Sequence, residues 1–203
     1  MIERLSEKFV GKLINSGIIS ETDADVYMYG FFQLVMMLLN IATMIALGVL
    51  FKLLFPCILL NISYIVIRTS AGGHHAGSPM RCYVNSTIII SVLLAIIKWI
   101  PFQRAVSVVI LVAASIFIWI TAPVETEDNQ LDETEQSIHR RRTRIVLSIE
   151  IVAFGIFMIL GTNEVCKIIA LGMFTEAIML FAGILQGLEK RKNMEKSHEE
   201  KTQ

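Results

Sequence analysis

The chain has 203 residues, 54% of them hydrophobic, and its 18 basic residues balance 18 acidic ones to a formal net charge of zero. Neutrality removes the electrostatic case for nucleic-acid binding. Apolar runs of nearly 20 residues, separated by clusters of charge, exclude an ordinary soluble domain and point to an integral membrane protein.

Residues 2–15 place Ile2, Leu5, Phe9 and Leu13 at helical spacing, with Glu3, Arg4, Glu7, Lys8, Lys12 and Asn15 elsewhere on the wheel. That pattern predicts an amphipathic helix stopped by Gly17. It can lie in the membrane interface or pack on the protein's own bundle. The charges at Glu3, Glu7, Lys8 and Lys12 interrupt any signal-peptide core.

Six membrane spans follow by hydropathy, at about 26–49, 52–68, 84–100, 104–122, 145–162 and 165–187. The connections at 51–52 and 161–163 are tight enough for helical hairpins. The expected fold is therefore all-α and polytopic. One membrane-embedded domain covers 1–203: an amphipathic helix at 1–17, a transmembrane core at 26–187 and an exposed tail at 188–203.

Orientation follows from the basic residues. With both ends on one side, that side carries 14 of them and the other only Lys52, Lys98, Arg104 and Lys167. The positive-inside rule then places both termini, residues 68–82 and the 123–144 loop in the cytoplasm.

Between the second and third spans lies Arg68-Thr-Ser-Ala-Gly72-Gly73-His74-His75-Ala-Gly77-Ser78-Pro79-Met-Arg81-Cys82, a polar island in an apolar chain. In one straight helix the His75 and Cys82 side chains would share a face but stand ~10 Å apart. Proton transfer needs about 3 Å or one bridging water. A turn at Gly77-Ser78-Pro79 is expected to fold Cys82 back towards His75. The thiolate is the reactive form of cysteine, and an adjacent imidazolium, helped by Arg81, favours it. Gly72 and Gly73 allow close backbone approach by a peptide, or amides turned towards an oxyanion. These residues suggest a Cys/His acyl-transfer site. A metal site built from His74, His75 and Cys82 is the rival, disfavoured because adjacent histidines rarely share an ion and no fourth ligand is near. No metal and no cofactor is expected.

The pattern Arg68-x-x-x-Gly72-Gly73-x-His75-Ala76, with Cys82 seven residues on, resembles the signature of the accessory gene regulator B (AgrB) family of bacterial membrane cysteine endopeptidases. The amphipathic start, and Thr121-Ala122-Pro123-Val124 with Asn129 and Leu131 after the fourth span, extend the resemblance over nearly the whole chain. Gln130 stands where the family commonly has proline. The resemblance implies Cys82 as nucleophile and His75 as general base, with His74 at a variable position. It also implies a substrate, the precursor of a cyclic quorum-sensing peptide. The precursor is cut through an acyl-enzyme thioester, which an internal cysteine or serine captures as a thiolactone or lactone. Arg68 matches the motif's arginine, where it either holds a substrate carboxylate or snorkels from the span end. Glu125, Asp128, Asn129, Ser70 and Ser78 are candidates to orient His75, and a plain dyad is the default. The competing class is a non-enzymatic peptide exporter or transporter subunit.

Further along, Glu125 to Glu135 followed by Arg140–Arg144 reads as a solvated loop entering a membrane-anchoring basic cluster, or as a contact for a charged precursor tail. Two carboxylates fall inside spans. Glu150 is expected to pair with Arg144, and Glu176 to line a substrate cavity or face a partner subunit. Asn61 and Ser63 are expected to hydrogen-bond between helices, and self-association as a homodimer fits such intramembrane polarity. Cys57 and Cys166 read as buried thiols or a disulfide pair.

Overall fold

The computed structural model describes residues 2–72, 79–124 and 132–201, with side chains described from Ser6 to Glu189 within those ranges and at Lys192. Seven α-helices run in order: α1 (Ile2–Asn15), α2 (Ala24–Phe51), α3 (Leu54–Ala71), α4 (Pro79–Trp99), α5 (Arg104–Thr121), α6 (Glu133–Ile159) and α7 (Asn163–Lys201). A single 3-10 turn, Glu21–Asp23, leads into α2. The protein is all-α and membrane-spanning, as its apolar runs require.

α1 ends where Gly17 takes φ +66°. The Gly17 amide then donates to Ile14 O at 2.9 Å and the Ile18 amide to Leu13 O at 3.0 Å, a Schellman ending. This helix packs on α2. Val10 is buried, and the Phe9 ring stacks on Phe31 of α2 with centroids 4.4 Å apart.

α2, α3, α4, α5 and the Asn163–Glu189 part of α7 are each long and apolar enough to cross a membrane. α6 is not among them, because Arg142, Arg144 and Glu150 interrupt its apolar stretch. It nonetheless packs against α3 and α7 within the bundle. α6 also starts earlier than its hydropathy suggests, so the expected loop through residue 144 is largely helix. A capping box sets the start: the Asp132 side chain accepts from the Glu133 amide at 3.2 Å, and Glu135 Oε2 accepts from the Asp132 amide at 3.3 Å. The tail after Leu188 is helical too, since α7 continues to Lys201.

α7 is the hub. In its apolar window 61% of residues are buried, against 11–33% in the other four spans, so the others surround it. Ile169, Met173 and Leu180 of α7 meet Ile67 of α3, Leu111 and Ile118 of α5, and Leu147 and Phe154 of α6 in the main core. A second cluster joins Ile168 and Leu171 to Leu60 of α3 and to Leu93 and Ile97 of α4. α3 and α7 approach closely because position 172 is glycine. A Cβ there would come within 2.8 Å of Ser63 Oγ. Large apolar side chains such as Leu50, Ile120 and Ile159 point outwards, as a surface solvated by lipid requires.

Two buried polar contacts brace the bundle. Lys167 of α7 donates from Nζ to Ile97 O and Ile100 O, both at 2.8 Å, satisfying carbonyls that the end of α4 leaves unpaired. Ser63 Oγ donates to Glu150 Oε2 at 3.0 Å, linking α3 to α6. The expected Glu150–Arg144 pair is therefore not formed. Arg144 lies instead over the Trp119 ring, 4.7 Å from its centroid. Ser63 makes its interhelical bond, whereas Asn61 turns back to Cys57 O of its own helix at 2.8 Å.

Candidate active site

The last turns of α3 build one wall. Tyr64 and Arg68 are four residues apart and share a helix face. Ile67 and Ala71 face the core between them and fix the helix against α7. The helix stops at Gly72, whose φ 76° and ψ −141° suit a residue without a side chain. Arg68 Nη1 donates to Gly72 O at 2.6 Å, folding the guanidinium over the helix end.

The loop after α5 meets the same point. Following a cis Ala122–Pro123 peptide, the Val124 amide donates to Ala71 O at 3.0 Å, and Gly72 and Val124 form an isolated parallel bridge. A Cβ on Gly72 would lie 2.5 Å from Val124 O, so the contact depends on glycine. The two segments that carried the family resemblance, some fifty residues apart in sequence, are thus clamped backbone to backbone.

Glu176 of α7 supplies the floor. It is fully buried, with Oε1 4.0 Å from Arg68 Nη1, and the Arg68 side chain is itself only 17% exposed. Among the described residues neither Glu176 oxygen accepts a hydrogen bond. The Arg68 guanidinium has a buried carboxylate and a main-chain carbonyl as neighbours. Glu176 had been expected to serve a cavity or a partner subunit; within the chain its neighbour is this arginine.

Cys82 lies in the first turn of α4, which begins at Pro79, five residues earlier than the span boundary expected at 84. Pro79 opens the helix, and the turn expected at Gly77-Ser78-Pro79 falls on Gly77 and Ser78, which lie outside the described residues. Cys82 is exposed, whereas Cys57 and Cys166 are both buried and unbridged. Next to it, Tyr83 and Thr43 share a 2.7 Å hydroxyl hydrogen bond that ties the start of α4 to α2. Tyr64 shares the α3 face with Arg68, one turn before it. Tyr64 was not anticipated from the sequence, although its position one turn before Arg68 was a usable signal.

Gly73, His74, His75, Glu125, Asp128 and Asn129 lie outside the described residues. Ser70, a candidate to orient His75, is buried on α3. What the described residues assemble is an accessible thiol at a helix start. α3 and α7 contribute a phenol, a guanidinium and a buried carboxylate, and a backbone clamp holds the chain where it leaves towards residues 73–78.

A family model described as Accessory gene regulator B matches residues 6–180. A curated AgrB-like protein of Clostridium perfringens (strain SM101 / Type A) is 26% identical over 201 residues, covering 89% of this chain and 91% of its own. No solved structure matches the chain.

Proposed function

The chain belongs to the accessory gene regulator B family, and from that membership we propose that it is a membrane cysteine endopeptidase that processes the precursor of a cyclic quorum-sensing peptide. Cys82 is the nucleophile and His75 the general base. The observation that carries this reading is the placement of Cys82. It is the one exposed thiol of three, and it lies in the first turn of α4, just beyond the segment that carries His75. The Gly72–Val124 clamp and the Arg68–Gly72 bond support the same reading, because they hold one end of the segment that bears the base.

The chemistry divides into two acyl transfers. His75 takes the Cys82 proton and Sγ attacks the scissile carbonyl, giving a tetrahedral oxyanion. Collapse breaks the C–N bond; the imidazolium returns the proton to the departing amine, and the C-terminal fragment leaves. The remaining peptide is then a thioester on Cys82. An internal thiol or hydroxyl of the precursor loses its proton to His75 and attacks that carbonyl. The ring closes as a thiolactone or lactone, and Cys82 leaves as thiolate. Exchange of one thioester for another changes bond energy little, so the step needs water kept from the intermediate. A site at the membrane face supplies that exclusion, with the lipid bilayer as one wall. The excess of basic residues on one side supports a cytoplasmic site and cytoplasmic termini.

The test is precursor cleavage in membranes carrying the wild type, Cys82→Ala, His75→Ala, or Cys57→Ala/Cys166→Ala. The expected result is complete loss in the first two variants at matched protein levels, full cleavage in the third, and a hydroxylamine-labile precursor adduct only where Cys82 is present. Undiminished cleavage by Cys82→Ala would remove the protease reading and favour the exporter class.

A further inference from the structure

On the outer face of α6, far along the chain from Cys82, Ser137, Arg140, Arg141, Arg144, Ile145 and Ile149 line an open groove of about 490 Å³. We propose that this groove is a binding site for one anionic phospholipid, with the headgroup phosphate held by the three guanidiniums and an acyl chain laid along the apolar continuation of the same helix face.

Four observations carry the proposal. Arg140, Arg141 and Arg144 are all exposed, and among the described residues none has a carboxylate partner. They are three like charges on two adjacent turns, an arrangement that calls for an anion. Second, Arg144 is fixed in place: it lies over the Trp119 ring in the last turn of α5, the depth at which tryptophan sits in a membrane interface. The cluster is therefore at headgroup level and not out in solution.

Third, the face changes character along its length. Below the arginines come Ile145, Ile149, Val152 and Ile156, each more than half exposed and each one helical turn from the next. From Arg141 to Ile156 the strip runs roughly 22 Å along the axis. Charge at one end and a single apolar track at the other match an anionic lipid, and an acidic peptide would leave the track unused. Fourth, the two hydroxyls of Ser137 and Ser148 flank the arginines, and Ser137 can donate to phosphate oxygens. Ser148 is already turned to Arg144 O at 2.8 Å.

The experiment uses the full chain in detergent micelles and measures retained lipid by native mass spectrometry after titration with phosphatidylglycerol or phosphatidylcholine. With three guanidiniums engaged, each contributing roughly fivefold, the expected preference for phosphatidylglycerol is about a hundredfold. In Arg140→Gln/Arg141→Gln, which leaves Arg144 on Trp119, the preference falls to about fivefold while the lipid-free melting temperature is unchanged. Millimolar inorganic phosphate and a glutamate-rich peptide are expected not to displace the lipid. Equal retention of the two lipids, or an unchanged preference in the double variant, overturns the proposal. Displacement by phosphate alone reduces the groove to an anion site, and displacement by the peptide assigns it to a protein partner; either also overturns it. A melting temperature lowered by the double substitution is met by Ile149→Gln. That variant keeps all three charges and is expected to weaken phosphatidylglycerol retention while leaving phosphate binding unaltered; equal retention by it counts against the proposal.

Discussion

Replacing Gly72 with alanine probes the backbone clamp directly. At φ 76° and ψ −141° the residue occupies a region that side-chain-bearing residues avoid, and holding alanine there costs about 1–3 kcal/mol. The new Cβ would also stand 2.5 Å from Val124 O, a main-chain atom that has no rotamer to escape into. Restoring an ordinary contact near 3.4 Å requires the post-α5 loop to retreat by about 1 Å. That movement breaks or lengthens the Val124-to-Ala71 hydrogen bond, a further ~0.5–1.5 kcal/mol. Together these give about 2–4 kcal/mol, spent at the clamp and not in the core. The bundle around α7 should survive, and the segment leading to His75 should lose its anchor. A 1 Å misplacement of a positioning element costs on the order of a hundredfold in rate. The assay is precursor cleavage in membranes at matched protein level, with maleimide labelling of Cys82 to verify that the site still opens to solvent. A Gly72→Ala protein that cleaves within about twofold of wild type would refute the reasoning, because the clamp would then have no part in catalysis.

Other outcomes follow from the packing. A membrane-permeant maleimide should label Cys82 within minutes and leave Cys57 and Cys166 unmodified until the protein is denatured, as mass spectrometry of the labelled chain will read. Gly172→Ala pushes a methyl against Ser63 Oγ and should destabilise the α3–α7 contact by ~1–3 kcal/mol; adding Ser63→Ala should recover part of the loss, measured as melting temperatures in micelles. Glu176→Leu removes the buried carboxylate 4.0 Å from Arg68 and should cost about 3 kcal/mol, with Arg68→Leu/Glu176→Leu less unstable than the sum of its parts. Lys167→Met removes two charge-assisted bonds to the end of α4, each worth ~1.5–3 kcal/mol, and should lower the melting temperature without altering Cys82 labelling.

Helix number and hairpin turns were legible because hydrocarbon imposes long apolar runs and the breaks between them are polar. The start of α6 was misjudged for a physical reason. Its first turns are charged, so hydropathy is silent there, although Asp132 and Glu135 already spelled a capping box. The motif residues Arg68, Gly72 and Cys82 could be picked out, but not their partners. Nothing local links Arg68 to Glu176 or Gly72 to Val124, since both contacts are made by tertiary packing around α7. Glu150 illustrates the same limit: proximity in sequence favoured Arg144, whereas the burial of α6 against α3 brought Ser63 to it.

The helix that organises this bundle is synthesised after the other six. Cys82 emerges about eighty residues before α7 begins, but the carboxylate beside Arg68 belongs to α7. Until that helix inserts, α3 and α5 lack the surface on which both pack, and Arg68 lacks the Glu176 carboxylate. A nascent chain therefore carries its thiol through assembly without the surroundings that fix the Tyr64–Arg68 wall. Synthesis of α7, and not the appearance of the cysteine, marks the moment at which these surroundings are complete.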